Sequence, residues 1–415
     1  MPRRSSKPVP NSEPPELVVT QPAQLEACLE HLSQTNVLGF DTEFVGDDAY
    51  RPELCLIQVA TAERLYVIDP LSVGRLDAFW KLLLDPNRVT VLHAGREDVR
   101  ICFFQADQPP ASIFDLQLAA GLVGMTYPIG YSGLVYELLG HRMSKGETLT
   151  DWRRRPLSPA QVRYAFDDVR FLLPIWKKLS EKLKRLKRMP WAEEEFASLV
   201  RKSIGDDEAA TERWRKVKGI GGLDRRGLAV ARELFLWRDR FAERINRPPR
   251  HLLRDDVLAE LAKRGPTRTE ELSAYRGVPR SELEQILGAI RKAKALPIED
   301  CPEPESREND SPPITMLGNL LGVVLFDWCA RNKLAPSLVA SGSDLKAIVR
   351  SHVSGVEPPD IPLTRGWRQA AILSELNGIL EGRTVLRVAR PGAVSPLELV
   401  PQPKAEEEEG KATPD

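Results

Sequence analysis

Asp41 and Glu43 stand two residues apart in the β-rich run VLGFDTEF. Alternation along a strand projects both to one side, while Leu38, Phe40, Thr42 and Phe44 take the other side and read as core. Adjacent carboxylates in an apolar strand repel each other and lose hydration, and a hard divalent cation removes that cost. The plainer reading is the polar face of an edge strand. Asp98 lies in LHAGREDVRICFF, in the first turn of a helix just past a strand end at His93-Ala94-Gly95. Taken alone, stabilisation of a helix start explains Asp98 and Glu97 better than a site does, and His93 at a strand end is more often structural than a ligand. In SPAQVRYAFDDVRFLLPIW, Ser158, Pro159 and Gln161 make a capped helix start. Tyr164 and Asp168 then share a face, with Ala165, Val169, Leu172, Leu173 and Trp176 as the apolar stripe. A phenol one turn before a carboxylate can hold a water beside a metal bound to that carboxylate. An ordinary tyrosine–aspartate pair on a solvated face would look the same, and Asp167 points away from it.

Short β-rich runs at Val37–Phe44, Leu54–Ala60 and Leu65–Asp69 predict an antiparallel meander. Helix and strand then alternate: a helix over 76–84, a strand over 89–93, a helix over 97–105, a short strand from Ile113 and a helix over 116–123. This mixed order implies an α/β sheet covered by helices. From residue 225 onward the pattern is almost wholly helical.

The chain has 415 residues, which favours two to four domains. Residues 1–15 read as a disordered arm, 298–313 as a Pro-rich linker and 401–415 as an acidic tail. The folded segments are 16–205, 225–297 and 314–400. Five dispersed cysteines without a CxxC exclude a disulfide framework or zinc cage and suit a reducing cytoplasm. Without an uninterrupted apolar run of about 18 residues, no membrane span is expected, and the N-terminal residues do not read as a secretory signal. The 59 basic residues cancel 59 acidic ones, so any polyanion contact must come from local clustering. Residues 141–188 carry fourteen Lys/Arg against five Asp/Glu. Within them, Arg153, Arg154 and Arg155 lie just before the helix that carries Tyr164 and Asp168 and are candidate nucleic-acid contacts, RNA among them. The run 182–188 suits a solvated helix face as well as a phosphate contact. Arg238, Arg240, Arg244, Arg247 and Arg250, beside Trp237 and Phe241, also allow RNA contact.

In this order and spacing, DTEF, HAGREDV and YAFDDVRFL resemble the three Exo motifs of the DEDD exonuclease superfamily. The Tyr four residues before the last Asp resembles the DEDDy subclass. RPELCLIQVA, LYVIDPL, KGETLTDWRRRPLS and QVRYAFDDVRFLLPIW are similar to ribonuclease D, and this resemblance covers about 20–190. ELFLWRDRFAERINRPPRHLLRDDVLAELAKRGPT resembles the HRDC module, and 316–382 resembles a diverged second one. The resemblance implies an α/β ribonuclease H-like exonuclease domain with a mixed sheet over 16–205, followed by two small all-α HRDC-type domains over 225–297 and 314–400.

It further implies that Asp41, Glu43, Asp98 and Asp168 hold two divalent ions, Mg²⁺ or Mn²⁺, and that Tyr164 orients the attacking water. Glu147 and Asp151-Trp152 lie in a family segment and are assigned no catalytic role. Gly146-Glu147-Thr148 departs from the family's usual Ser-Glu-Gln. The expected activity is 3′→5′ exoribonuclease hydrolysis releasing nucleoside 5′-monophosphates, in tRNA 3′ maturation. The expected partner is RNA with a free 3′ end, such as a tRNA precursor, and the expected state is a cytoplasmic monomer. A DEDD exonuclease acting mainly on DNA and a non-catalytic RNA-binding scaffold are the alternatives.

Overall fold

The β-branched and apolar runs near the N-terminus form a six-stranded mixed sheet with helices against it. A computed structural model describes residues 14–46, 48–143, 150–205, 212–304, 310–389 and 391–402. The expected arm, except residues 14–15, the Gly146-Glu147-Thr148 departure, linker residues 305–309 and most of the acidic tail lie outside the described residues. By contact the chain divides into two units that ignore linear order. One takes residues up to Asp115, His141–Trp176 and Ala197–Arg307; the other takes Leu116–Gly140, Lys177–Phe196 and Glu308 onward.

In the first unit, β1 (Glu16–Val19), β2 (Val37–Val45), β3 (Glu53–Ala60), β4 (Leu65–Ile68), β5 (Val89–Leu92) and β6 (Ile113–Asp115) lie in the order β1-β4-β3-β2-β5-β6. The β2-β3-β4 meander is antiparallel, as its turn-separated spacing predicts. β1 pairs parallel with β4, and β2, β5 and β6 run parallel. β1 escapes a sequence reading because four mostly exposed residues carry no usable periodicity. Phe40 of β2 packs against Phe79 and Trp80 of a helix, Asp77–Leu83, with centroids 6.1 and 6.4 Å away. This aromatic cluster seats the apolar side of the strand that carries Asp41 and Glu43.

The β2-β3 register shifts between Glu43 and Phe44, so Glu43 faces Leu56 while Phe44 faces Leu54. Cys55 is the extra residue of this bulge, and its carbonyl loses its place in the ladder. Arg155 takes it: Nη2 donates to Cys55 O at 2.9 Å. The same guanidinium donates to both Asp69 oxygens at 2.7 Å, and to the carbonyls of Trp152 and Arg154. Its five N–H groups are therefore all matched to protein acceptors. This corrects the expectation of Arg155 as an RNA contact. Burial would raise Asp69, but the bonds from Arg155 and Ser72 outweigh it and hold that carboxyl below its usual value.

Helical residues 225–297 belong to the same unit. They comprise Arg225–Arg244, Asp255–Arg264 and Leu283–Ala295, packed around Leu234, Leu258, Leu261, Ile286 and Ile290. Arg225–Arg244 holds the loop that leaves β2. Tyr50 donates to Asp239 at 3.2 Å, and Arg51 meets Glu243 at 2.7 Å and Asn246 at 2.9 Å.

In the second unit, Glu195 accepts from Arg368 and from the Trp367 indole at 2.7 Å, while Trp367 stacks on Trp191 at 4.7 Å. Arg188, the last of the 182–188 run, is buried and donates to the carbonyls of Leu122 and Lys333 at 2.8 Å. It is structural for that reason. The all-helical expectation for 314–400 is corrected by a hairpin, Thr384–Val388 with Leu397–Pro401. The helix Pro312–Asn332 is long and apolar enough to cross a membrane by length and composition alone, although it buries Leu321, Val324, Leu325, Trp328 and Cys329. Scattered polar residues kept it from registering as an uninterrupted apolar run.

Removing Arg155 strands a buried carboxylate and the bulge carbonyl together. Arg155→Ala is expected to lower unfolding stability by about 3 kcal/mol in urea titrations. A change within 0.5 kcal/mol would show that the bulge needs no such support.

Candidate active site

Asp41 and Glu43 leave β2 on one side, as the pleat requires. Asp168 reaches them from the helix Pro159–Arg170, which packs across β2, β3 and β4. The helix begins as expected: Ser158 accepts from the Gln161 N–H at 3.1 Å, and the Gln161 side chain accepts from the Ser158 N–H at 2.8 Å. Carboxylate oxygens of Asp41, Glu43 and Asp168 lie within 4.8 Å of one another, and this set contains no His or Cys. Asp168 Oδ2 is buried without a hydrogen-bond partner.

Asp98 stands beside this trio, in the first turn of the helix Arg96–Ala106. Its Oδ1 accepts from the Thr42 hydroxyl at 2.6 Å. This bond ties β2 to the start of the helix Arg96–Ala106 across 56 residues of sequence. Sequence reasoning placed Thr42 in the core and missed this bond; a polar side chain at an otherwise apolar position was the available signal. The turn before Asp98 is fixed by two further features. Ala94 has φ 53°, and a Cβ on Gly95 would come within 2.6 Å of Leu92 Cβ. The Gly95 N–H donates to buried Asp115 at 2.9 Å, a second contact that local sequence does not announce.

The Tyr164 phenol meets the Asp168 carboxylate one turn along its helix and lies against buried Trp152, with ring centroids 5.9 Å apart. Asp167 points elsewhere and pairs with Arg170 at 2.9 Å; Glu97 pairs with Arg100 at 3.3 Å. Arg153 and Arg154 are on the surface, and both meet Asp151.

The electrostatics follow from burial and like charge. Desolvation first, then the neighbouring carboxylates, raise Asp41 well above the usual range. Burial and Asp98 raise Glu43 to about 7. Burial raises Asp98 to about 6, even though the Thr42 bond pulls the other way. Burial, with Glu43 next, raises Asp168 to about 8. Tyr164 is also raised, by burial and then by Asp168, Glu43 and Asp41, so its hydroxyl keeps its proton at neutral pH. An oxygen-only donor set, mutually repelling and partly unpartnered, fits hard divalent cations better than zinc.

Residues 17–184 match the family model described as 3'-5' exonuclease, and residues 227–292 match that of the HRDC domain. The chain is 36% identical over 384 residues to a ribonuclease D of Gluconacetobacter diazotrophicus, spanning 90% of this chain and 95% of that protein. It is 35% identical over 362 residues to a ribonuclease D of Pseudomonas paraeruginosa, spanning 86% and 95%. Escherichia coli RNase D, described as an exoribonuclease involved in structured RNA processing, superposes with a TM-score of 0.75 at 27% identity, over 88% of this chain and 99% of that one. With these matches and this arrangement of acids, the chain belongs to the ribonuclease D family of 3′→5′ exoribonucleases.

Proposed function

We propose that the chain hydrolyses RNA from its 3′ end by a two-metal-ion reaction and acts in tRNA 3′ maturation. The observation that carries this reading is the trio Asp41, Glu43 and Asp168, with oxygens within 4.8 Å and Asp98 alongside. These four acids would hold the divalent ions, Mg²⁺ or Mn²⁺. When bound, such ions supply a water acidic enough to attack at neutral pH and a counter-charge for the departing 3′ oxygen. Tyr164 stays protonated, so it orients the attacking water through its hydroxyl and does not serve as a base. Trp152 keeps the phenol in place. The Thr42 hydroxyl bond would orient Asp98 as a ligand.

The structured-RNA role described for the Escherichia coli enzyme supports a tRNA precursor with a short single-stranded 3′ tail as substrate. Surface residues Arg153 and Arg154 are the remaining candidates for RNA contact near the site. All five site residues come from one unit of one chain, which supports a monomer. Five free, buried cysteines suit a reducing cytoplasm.

Digestion of a 3′-extended tRNA with and without Mg²⁺ tests the reading. Asp98→Ala is expected to lower the rate about 100-fold or more, and Thr42→Val about 10-fold or more. An Asp98→Ala enzyme as fast as wild type would refute the site, and faster loss of a matched DNA would move the substrate class. The raised carboxyls also set a pH dependence. Between about pH 4 and pH 8 the metal-free folded state binds more protons here than the unfolded chain, so its stability falls as pH rises through that window. Cations favour the deprotonated acids, so Mg²⁺ should raise the melting temperature more at pH 8 than at pH 5.5. An equal gain at both values would contradict the electrostatic account.

A further inference from the structure

Gln58 lies in β3 with 0% of its surface exposed, and neither its amide nitrogen nor its amide oxygen has a hydrogen-bond partner. It is the one polar residue in the run LCLIQVA, between buried Ile57 and Val59. Among the described residues no other side chain leaves two buried polar atoms unmatched. A buried amide without partners costs stability that an apolar side chain of similar shape would not. A polar residue at this position is therefore a burden on the fold unless some state of the protein pairs it.

The sheet register shows where that partner lies. Gln58 stands directly opposite Asp41 on β2 and opposite Val67 on β4. Residues opposite each other in an antiparallel ladder project from the same face, with Cβ atoms about 4.5–5.5 Å apart. Gln58 thus shares the face of Asp41 and Glu43, over which the helix Pro159–Arg170 brings Asp168. Its other neighbours on that face, Leu56, Ala60 and Val67, are apolar. So are Ala165, Phe166 and Val169, which the covering helix buries, while the Gln161 amide is used at the helix cap. The site carboxylates are what remains, with Asp41 foremost.

An amide nitrogen donates and a carboxylate oxygen accepts, so the two groups match. Asp98 has the Thr42 hydroxyl and Asp168 has the Tyr164 phenol, but no side chain among the described residues donates to Asp41. We infer that Gln58 is a positioning residue for Asp41, whose carboxylate accepts from the Gln58 Nε2–H when the site holds its cations. The inference rests on the divalent-cation reading of the site. Such a partner fixes the orientation of a ligand and raises metal affinity. In the metal-free protein the amide stays unmatched, so the fold gives up stability that the loaded site recovers as affinity.

The test compares the full-length wild type with Gln58→Met and Gln58→Leu, which roughly keep the volume and remove the donor. Mn²⁺ binding is followed by calorimetric titration, and the melting temperature is measured in EDTA. Both variants should bind Mn²⁺ about tenfold or more weakly, and at least one should melt in EDTA no lower than wild type. Hydrolysis of a short RNA should fall at limiting Mn²⁺ and recover in excess. An unchanged Mn²⁺ Kd would overturn the inference. Melting below wild type in EDTA by both variants would do the same, since it would show the amide already satisfied without cations. A loss of hydrolysis that excess Mn²⁺ fails to reverse would also overturn it. Wild type that binds no Mn²⁺ would sink the metal-centre reading and the Gln58 role with it; binding by wild type and variants alike sinks the Gln58 role alone.

Discussion

Carboxylates crowded into a partly dry site repel one another, and much of the first unit acts to keep them there. Asp41, Glu43 and Asp168 would gain hydration and distance by moving apart. They are prevented because each is rooted in an element whose other side is buried. β2 is anchored by Phe40 against Phe79 and Trp80, and the Asp168 helix buries Ala165, Phe166 and Val169. Burial of the apolar faces thus offsets the cost of crowding these carboxylates.

Around that crowded centre the structure places residues that support the acids and the tyrosine from behind. The bulge at Cys55 alters the β2-β3 pairing right after Glu43, and Arg155 ties its carbonyl to Asp69. Gly95 and Asp115 fix the tight turn that starts the Asp98 helix. Thr42 fixes the Asp98 side chain, and Trp152 the Tyr164 ring. Through Tyr50 and Arg51, the helix Arg225–Arg244 restrains the loop leaving β2, so the helical domain is mechanically linked to the strand that carries Asp41 and Glu43. A nuclease that relies on pre-set donor positions needs such stiffness, because ligand geometry is lost with shifts of about 0.5 Å.

The legible part of the site was its local part. D-x-E on one strand face, Asp98 after a tight turn, and Tyr164 with Asp168 behind a capping box all follow from periods of two and four and from end-capping chemistry. The antiparallel meander was legible for the same reason. The arginines were less so. Arg155 and Arg188 sit in basic runs that resemble phosphate contacts, and both proved to be donors to buried protein oxygens. Charge in a sequence says nothing about which acceptors lie nearby after folding, so a basic run alone cannot separate a structural cation from a binding one. Thr42 and β1 were missed because one hydroxyl and four residues give no periodic signal.

The chain order of residues therefore determined which side chains share a face, where helices begin, and the identity of the acids and the tyrosine. These depend on interactions within about four residues, whose geometry is nearly the same in every protein. Only the tertiary structure decided that Asp98 leans on Thr42 across 56 residues and that Arg155 is used by Asp69 across 86. It also decided that segments 116–140 and 177–196 join the C-terminal residues in a separate unit. Such pairings are set by the packing of whole elements, where each contact depends on many others being made at once.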